Sequence, residues 1–168
     1  MASGLFLNPL TLLRVAPLIT STASLTIASD SHLFLSSLVS LKRERSTVNQ
    51  VAPRYFETFF WRGLPEILVT FGLSLAFGIA NSYGGRRPRA AAWAWYAGGS
   101  AFSLAHFAFV PTIAFKVRDA IEAKEAPDGG AAEAIQGWLN VHHVRMALAD
   151  IPAWTCFLVA VVKSLRPI

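Results

Sequence analysis

The sequence is short of charged residues and of cysteine. Only 15% of its 168 residues are Asp, Glu, Lys or Arg, against about 25% in ordinary soluble domains. Cys156 is the single cysteine, so an intrachain disulfide is excluded. Hydrophobic residues make up 54% of the chain, and the mean hydropathy is +0.45. This composition is too apolar for a soluble domain of this length and predicts a membrane protein.

Long polar stretches are also missing. Four apolar segments cover residues 17–41, 55–80, 90–116 and 136–162. Each reaches the ~20 residues that span ~30 Å of hydrocarbon as a helix. The sequence therefore predicts an all-α integral membrane four-helix bundle, in which residues 1–168 form a single four-span transmembrane domain. Residues 1–29 lack the basic start of a secretory signal, so the first segment is predicted to be retained.

The net charge of +5 lies in the connections between these segments. Basic residues follow the first, second and fourth segments: Lys42, Arg43, Arg45, Arg86, Arg87, Arg89, Lys163 and Arg166. Such flanking is typical of membrane helices, and no basic stripe with interleaved aromatics occurs. We therefore expect the lipid bilayer as a partner and exclude nucleic acid. The basic residues divide almost evenly between the two sides, so they do not fix the orientation.

Pro65, followed by Glu66, indicates a helix start within the second segment. Proline suits the first helical turn because it has no N–H to leave unpaired, and an acid there suits the helix dipole. We therefore predict that the second membrane helix begins at Pro65. The preceding "RYFETFFW" would then lie at the membrane interface.

Ionisable residues occur inside all four segments. Helical rise, counted from the face with the first and third connections, places nine of them ~10–21 Å deep. These are Asp30, His32, Arg62, Glu66, His106, His142, His143, Arg145 and Asp150. The opposite half of the membrane layer has almost no charge. Because a charge at mid-bilayer costs ~2.5 kcal/mol or more, we expect these residues to face an interior cavity.

Helical phase sorts the polar residues of the last segment, "WLNVHHVRMALADIPAW". Asn140, His143 and Asp150 fall on one stripe, and His142 lies with Arg145 on the adjacent one. The purely structural alternative is a set of ion pairs. It would join Arg62 to Glu66 at helical spacing, and Arg145 to Asp30 or Asp150.

A low-dielectric pocket with carboxylates and imidazoles can perform general acid–base catalysis. Burial raises the pKa of a carboxyl group and a neighbouring arginine lowers it, so one acid can donate a proton while another accepts one. The candidate catalytic residues are Asp30, Glu66, His106, His143, Arg145 and Asp150. In this hypothesis the histidines exchange protons, and Arg145 adjusts the pKa of its neighbours.

A second set of residues is predicted to contact an apolar or polyene substrate. It consists of His32, Trp61, Arg62, Trp138, Asn140, His142 and Trp154. No cofactor is expected, and a metal site is not favoured. His142 and His143 point about 100° apart on a helix, and no H-x-x-x-H or E-x-x-H pair exists.

Four segments together resemble a known group of proteins: "ASDSHLFL", "RYFETFFWRG", "AHFAFVP" and "WLNVHHVRMALADIPAW". The layout is similar to small four-span membrane enzymes of fungal secondary metabolism. These are the membrane-bound epoxide hydrolases of the citreoviridin and aurovertin type and the epoxide cyclase of the ascofuranone pathway. The anthrone oxygenase family is a looser match, because "VPTIAFKVRDA" lacks the T-N element that follows its third span.

The resemblance implies an enzyme that opens epoxides of a polyketide or meroterpenoid, forming diols or cyclic ethers. The substrate would be an apolar polyepoxide or polyene, and a pathway monooxygenase would be the partner that supplies the epoxide. The implied location is the endoplasmic reticulum membrane. Two alternatives remain open: a cofactor-independent anthrone-type oxygenase of aromatic polyketides, and a non-enzymatic scaffold or transport subunit.

Overall fold

The structure, a computed structural model, describes residues 8–83 and 92–165, and its regular elements there are all helical. In chain order they are α1 (Pro9–Val39), α2 (Arg45–Tyr83), α3 (Ala92–Ala108), α4 (Val110–Ile121), α5 (Ala131–Arg145), a π-helical turn (Met146–Asp150) and α6 (Ile151–Ser164). The predicted all-α class is confirmed for this part of the chain.

Three helical stretches are long and apolar enough to cross a membrane: α1, α2, and the continuous stretch Ala131–Ser164. Helices α3 and α4 meet this criterion only together, as one broken span with a bend of 40°. The structure thus has three candidate spans, or four if the bent pair counts as one. The predicted charges at Arg86, Arg87, Arg89 and Arg166, and the first two residues of segment 90–116, lie outside the described residues.

Proline shapes the contact between α1 and α2. Asn8 caps α1, since its side chain accepts a hydrogen bond from the Leu10 backbone N–H at 2.9 Å. Pro17, inside the helix, has no N–H to offer the carbonyl of Leu13, one turn earlier. Asn81 of α2 donates to that Leu13 carbonyl at 2.8 Å instead. The missing helical bond is thereby replaced by a bond between helices.

Helix α2 runs without interruption from Arg45 to Tyr83 and contains both Pro53 and Pro65. The prediction that a helix begins at Pro65 is therefore wrong, because some twenty helical residues precede it. Tertiary packing explains the difference. Val48, Ala52 and Phe56 are buried on the preceding part of α2, and such packing outweighs the single hydrogen bond that a proline removes.

Two apolar clusters lie at opposite ends of the molecule, with a buried polar layer between them. The larger cluster consists of Leu35, Val39, Val48, Ala52, Phe56, Val117, Ala120, Ala131, Ala132, Ile135, Trp138 and Leu139. The smaller consists of Ala92, Tyr96, Phe157 and Ala160. Along α5 and α6 the buried His142, Arg145 and Asp150 separate the two clusters. This polar layer contains the candidate site.

Candidate active site

The π-helical turn places two opposite charges on the same face. In an α-helix, five residues would leave Arg145 and Asp150 about 140° apart. Pro152 disfavours that geometry, since its ring clashes with the carbonyl of Leu148, four residues earlier. The Ile151 N–H instead bonds to the Met146 carbonyl, five residues back. As a result, Arg145 Nε lies 3.5 Å from Asp150 Oδ2.

His106 of α3 completes this group of charges. Its Nδ1 lies 2.8 Å from Asp150 Oδ1, and the two side chains are only 5% and 1% exposed. The Phe71 ring lies against the imidazole, with 3.7 Å between ring centroids. An ionised Asp150 only accepts hydrogen bonds, so Nδ1 carries the hydrogen. No described residue bonds to the other nitrogen, Nε2, which leaves it available to exchange a proton with a bound molecule.

His142 is held on both ring nitrogens. Its Nε2 lies 2.9 Å from the Ala28 carbonyl oxygen, and Arg145 Nη2 lies 2.8 Å from its Nδ1. A carbonyl only accepts and a guanidinium only donates, so Nε2–H donates to Ala28 and Nδ1 accepts from Arg145. His142 is therefore neutral in this arrangement and positions Arg145. We call His106, His142, Arg145 and Asp150 the buried cluster.

The buried cluster adjoins a cavity of about 610 Å³, a size typical of small-molecule sites (~300–1,000 Å³). His106, His142 and Arg145 form its buried end. Its wall is largely apolar and includes six aromatic side chains: Phe34, Phe59, Phe60, Phe71, Phe107 and Trp138. Among the described residues, no group of three or more His, Cys, Asp or Glu side chains is placed to hold a metal ion.

Three further charged residues line the cavity where it opens: Asp30 of α1, and Arg62 and Glu66 of α2. All three are exposed. None forms an ion pair with another residue in the described part of the chain. The alternative that paired Arg62 with Glu66 is therefore wrong, whereas the pair of Arg145 with Asp150 is present. We call Asp30, Arg62 and Glu66 the open-side triad.

Comparison with curated proteins identifies the family. The chain is 33% identical over 161 residues to a protein named epoxidase pydX from Acremonium sp. The aligned region covers 94% of this chain and 96% of the relative. The chain therefore belongs to the same fungal protein family as epoxidase pydX. It is also 33% identical to probable epoxidase scpX from Mollisia scopiformis (92% of this chain, 96% of the relative) and 30% identical to epoxidase gkaX from Penicillium citrinum (93% and 96%).

The predicted resemblance to a fungal family linked with epoxides is thus confirmed. No model of a known protein family matches the chain, and no solved structure does either.

Most of the predicted site residues of this family member meet at the cavity. Those that line it are Asp30, Arg62, Glu66, His106, Trp138, His142 and Arg145. Asp150 does not line the cavity and lies behind His106, to which it is hydrogen bonded. The depths counted from the sequence therefore identified side chains that come together in the structure, and all four predicted segments contribute at least one of them.

Two predicted histidines lie outside the cavity lining. His143 is exposed, and its ring centroid lies 5.4 Å from that of His32. His32 in turn stacks on His142 at 6.4 Å, behind the cavity wall. The structure therefore does not place His143 beside the other catalytic candidates.

Three predicted substrate-binding residues also lie elsewhere. Asn140 accepts a hydrogen bond from Gln136 and lines a separate cavity of about 530 Å³. The Trp154 indole N–H donates to Thr22 at 2.9 Å. Trp61 is 57% exposed and is absent from the cavity wall.

The π-helical turn explains why the predicted stripe failed. A regular 3.6-residue period aligns Asp150 with His143. The extra residue in the turn shifts this alignment by one position, so Asp150 is buried together with His142 and Arg145. Pro152 was the signal in the sequence, because a proline inside a helical pattern marks a local break.

Sequence reasoning missed two contributions. Phe71 packs on His106, but nothing in the sequence separates it from the chain's other phenylalanines. Ala28 contributes only its main-chain carbonyl, which a side-chain pattern cannot reveal.

Proposed function

We propose that the chain is a membrane enzyme of fungal secondary metabolism that opens an epoxide on an apolar intermediate. The observation that carries the proposal is His106, which is oriented by Asp150 and lines a largely apolar cavity, while no described residue bonds to its Nε2. The relatives named as epoxidases support chemistry at an epoxide. The proposal includes a four-helix bundle, with the bent α3–α4 pair as one span, in the endoplasmic reticulum membrane.

His106 supplies the acid in this scheme. The Asp150 carboxylate holds the Nδ1–H and stabilises the imidazolium form, which then carries a hydrogen on Nε2. That hydrogen passes to the epoxide oxygen while the C–O bond breaks. Arg145, positioned by His142, balances the Asp150 charge, so the buried end carries no uncompensated anion before the imidazole is protonated.

The attacking oxygen comes from water or from a hydroxyl of the substrate itself. It forms a new C–O bond on the opposite face of the epoxide carbon and loses its proton to a carboxylate of the open-side triad, Asp30 or Glu66. One proton is donated and one is accepted, so the enzyme returns to its starting state once the proton is exchanged between the two ends. Water gives a diol, and an internal hydroxyl gives a cyclic ether.

Epoxide formation is the second candidate, and the printed names of the relatives favour it. In that reaction an alkene, dioxygen, two electrons and two protons give an epoxide and water. It requires a two-electron donor such as a reduced flavin or nicotinamide. His106 would then deliver protons to the oxygen that leaves as water. In the opening scheme, a separate pathway monooxygenase supplies the epoxide.

Deletion of the gene in the source fungus separates these functions. If the enzyme opens epoxides, we expect an intermediate with an intact epoxide to accumulate, identified by mass spectrometry and NMR. An alkene that lacks this oxygen would contradict opening and support formation. An unchanged metabolite profile would contradict both and support the scaffold or transport alternative.

Oxygen isotopes then define the reaction in membranes supplied with the accumulated compound. Label from ¹⁸O-water in a diol indicates hydrolysis, and a cyclic ether without new label indicates cyclisation. Label from ¹⁸O₂ in the product would contradict both forms of opening. Membranes with His106→Gln at normal abundance serve as the matched control.

A further inference from the structure

The open-side triad combines one guanidinium with two carboxylates. Arg62 and Glu66 lie one turn apart on α2, and Asp30 faces the same cavity from α1. Within residues 8–83 and 92–165, none of their side chains forms an ion pair. Charged groups within a membrane protein normally pair with one another or face a functional site. A bound molecule is therefore the natural partner of these three side chains.

The triad restricts the chemistry of that molecule. A guanidinium only donates hydrogen bonds, so Arg62 requires an oxygen acceptor. An ionised carboxylate only accepts, so Asp30 and Glu66 require O–H or N–H donors. One positive and two negative charges leave a net negative site, which repels an anion. A neutral head group that carries both an acceptor and a donor fits these requirements.

The rest of the cavity suits an apolar chain attached to such a head group. The same cavity as the triad is lined by Phe34, Phe59, Phe60, Ile67 and Leu68. The buried end, with His106, belongs to the same continuous cavity. A head group held at the open side therefore directs its chain toward the buried cluster.

We propose that the open-side triad binds a neutral head group, with a carbonyl acceptor and an N–H or O–H donor, on a substrate whose apolar chain fills the cavity. A carboxamide is the simplest example. The inference deepens the proposed function, because it assigns a polar end to the molecule that carries the epoxide. It makes Arg62 a specificity-determining residue rather than a catalytic one.

Three brominated probes test this assignment with the purified full chain in detergent micelles. They share one C18 chain and differ only in the head group: 9,10-dibromooctadecanamide, methyl 9,10-dibromooctadecanoate and 9,10-dibromooctadecanoic acid. Bromine quenches tryptophan fluorescence on contact, and Trp138 lines the cavity. We expect the amide to bind about tenfold more tightly than the ester, which lacks a donor, and the acid to bind most weakly.

Two substitutions with opposite expectations accompany the probes. Arg62→Gln should weaken the binding of both the amide and the ester by about tenfold, since both probes present a carbonyl oxygen to the charged donor that is lost. Arg43→Gln removes another exposed arginine, which lines neither cavity, and it should leave both affinities unchanged. Trp138→Phe should abolish the quenching that depends on the head group.

Equal binding of the three probes would overturn the assignment, as would unchanged affinities for the amide and the ester in Arg62→Gln. Absence of quenching, or quenching that Trp138→Phe does not alter, would place the probes outside the cavity and would also overturn it. The probes carry no epoxide, so this result is independent of the gene deletion. An amide preference together with an accumulated alkene would retain the head-group site and refute epoxide opening.

Discussion

The charged side chains at the two ends of the cavity differ in whether a described residue pairs with them. At the buried end, every charged or titratable side chain has a partner: Asp150 contacts His106 and Arg145, and Arg145 contacts His142. At the open side, Asp30, Arg62 and Glu66 are exposed, and no described residue pairs with them. Both ends belong to one cavity, so a single bound molecule can contact the paired and the unpaired charges at the same time.

The side chains at the buried end are held in place by their partners, whereas those at the open side are available to bind a ligand. Paired groups in a low-dielectric interior hold a single geometry, which proton transfer to a bound molecule requires. Unpaired groups at an opening contribute little to the folded structure and remain free for a ligand. Substitutions that leave a charge unpaired at the buried end should therefore alter both stability and turnover. Substitutions at the open side should alter turnover or substrate binding with little effect on stability.

Asp150→Asn should have the largest effect. It removes the negative charge that stabilises the imidazolium form of His106 and leaves Arg145 buried without a counter-charge, which destabilises a fold by ~3–5 kcal/mol. We expect lower protein abundance and a loss of conversion of about 10⁴-fold, the upper end of acid–base contributions. Both are measured in the complemented deletion strain, by immunoblot and by metabolite yield.

The double variant Arg145→Gln, Asp150→Asn is the control for charge burial. Removing both charges should restore abundance, because no unpaired ion remains, while conversion stays low. Restored conversion would show that the two residues serve structure alone.

A pair of histidine variants sharpens the comparison further. His106→Gln should reduce conversion by about 10³-fold at near-normal abundance, since it removes the proton donor and retains a polar side chain. His143→Gln should change conversion less than about twofold, because this residue is exposed and lies outside the cavity lining. The reverse order of effects would support the predicted alignment of His143 with Asp150 and contradict the arrangement in the structure.

Deletion of Ala147 together with Pro152→Ala, which removes the ring that clashes with the Leu148 carbonyl, tests the π-helical turn with a smaller expected effect. Without Ala147, Asp150 follows Arg145 at position i+4 rather than i+5, so a regular α-helical turn keeps both on one face. We expect conversion within about tenfold of the wild type. The matched deletion of Val159 in α6 has no extra residue to absorb the change, rotates the remaining turns by about 100° and should abolish folding. Equal loss in both deletions would contradict this explanation.

Single substitutions at the open side should have the smallest effect. Asp30→Asn and Glu66→Gln should each lower conversion only about threefold, a loss of the order of one net hydrogen bond, since the second carboxylate can still accept the proton. Thermal stability should not change, because no residue in the described part of the chain forms an ion pair with either carboxylate. A stability loss comparable to that of Asp150→Asn would remove the distinction between the two ends.

The membrane character and much of the cavity lining follow from the sequence for a simple reason. Depth depends only on the rise per residue, which is nearly constant, so Asp30, Glu66 and His106 could be assigned to one layer. Direction around the helix depends on an unbroken period, and the π-helical turn interrupts it. Asp150 is therefore buried with His142 rather than aligned with the exposed His143.

Pro65 failed as a helix start for a different reason. Local propensity favours a start there, but buried contacts on the preceding twenty residues hold α2 together. The partners of Arg62 could not be predicted either. Helical spacing brings Arg62 near Glu66 but does not decide whether the side chains meet each other or a ligand.

The most direct test is the identity of the compound that accumulates when His106→Gln replaces the natural residue at normal protein abundance. If His106 protonates an epoxide, the strain accumulates an intermediate whose epoxide is intact, and purified wild-type membranes convert it to a diol or a cyclic ether. Accumulation of an alkene without the epoxide oxygen, or an unchanged set of products, would contradict the assignment of His106 as the acid that opens an epoxide.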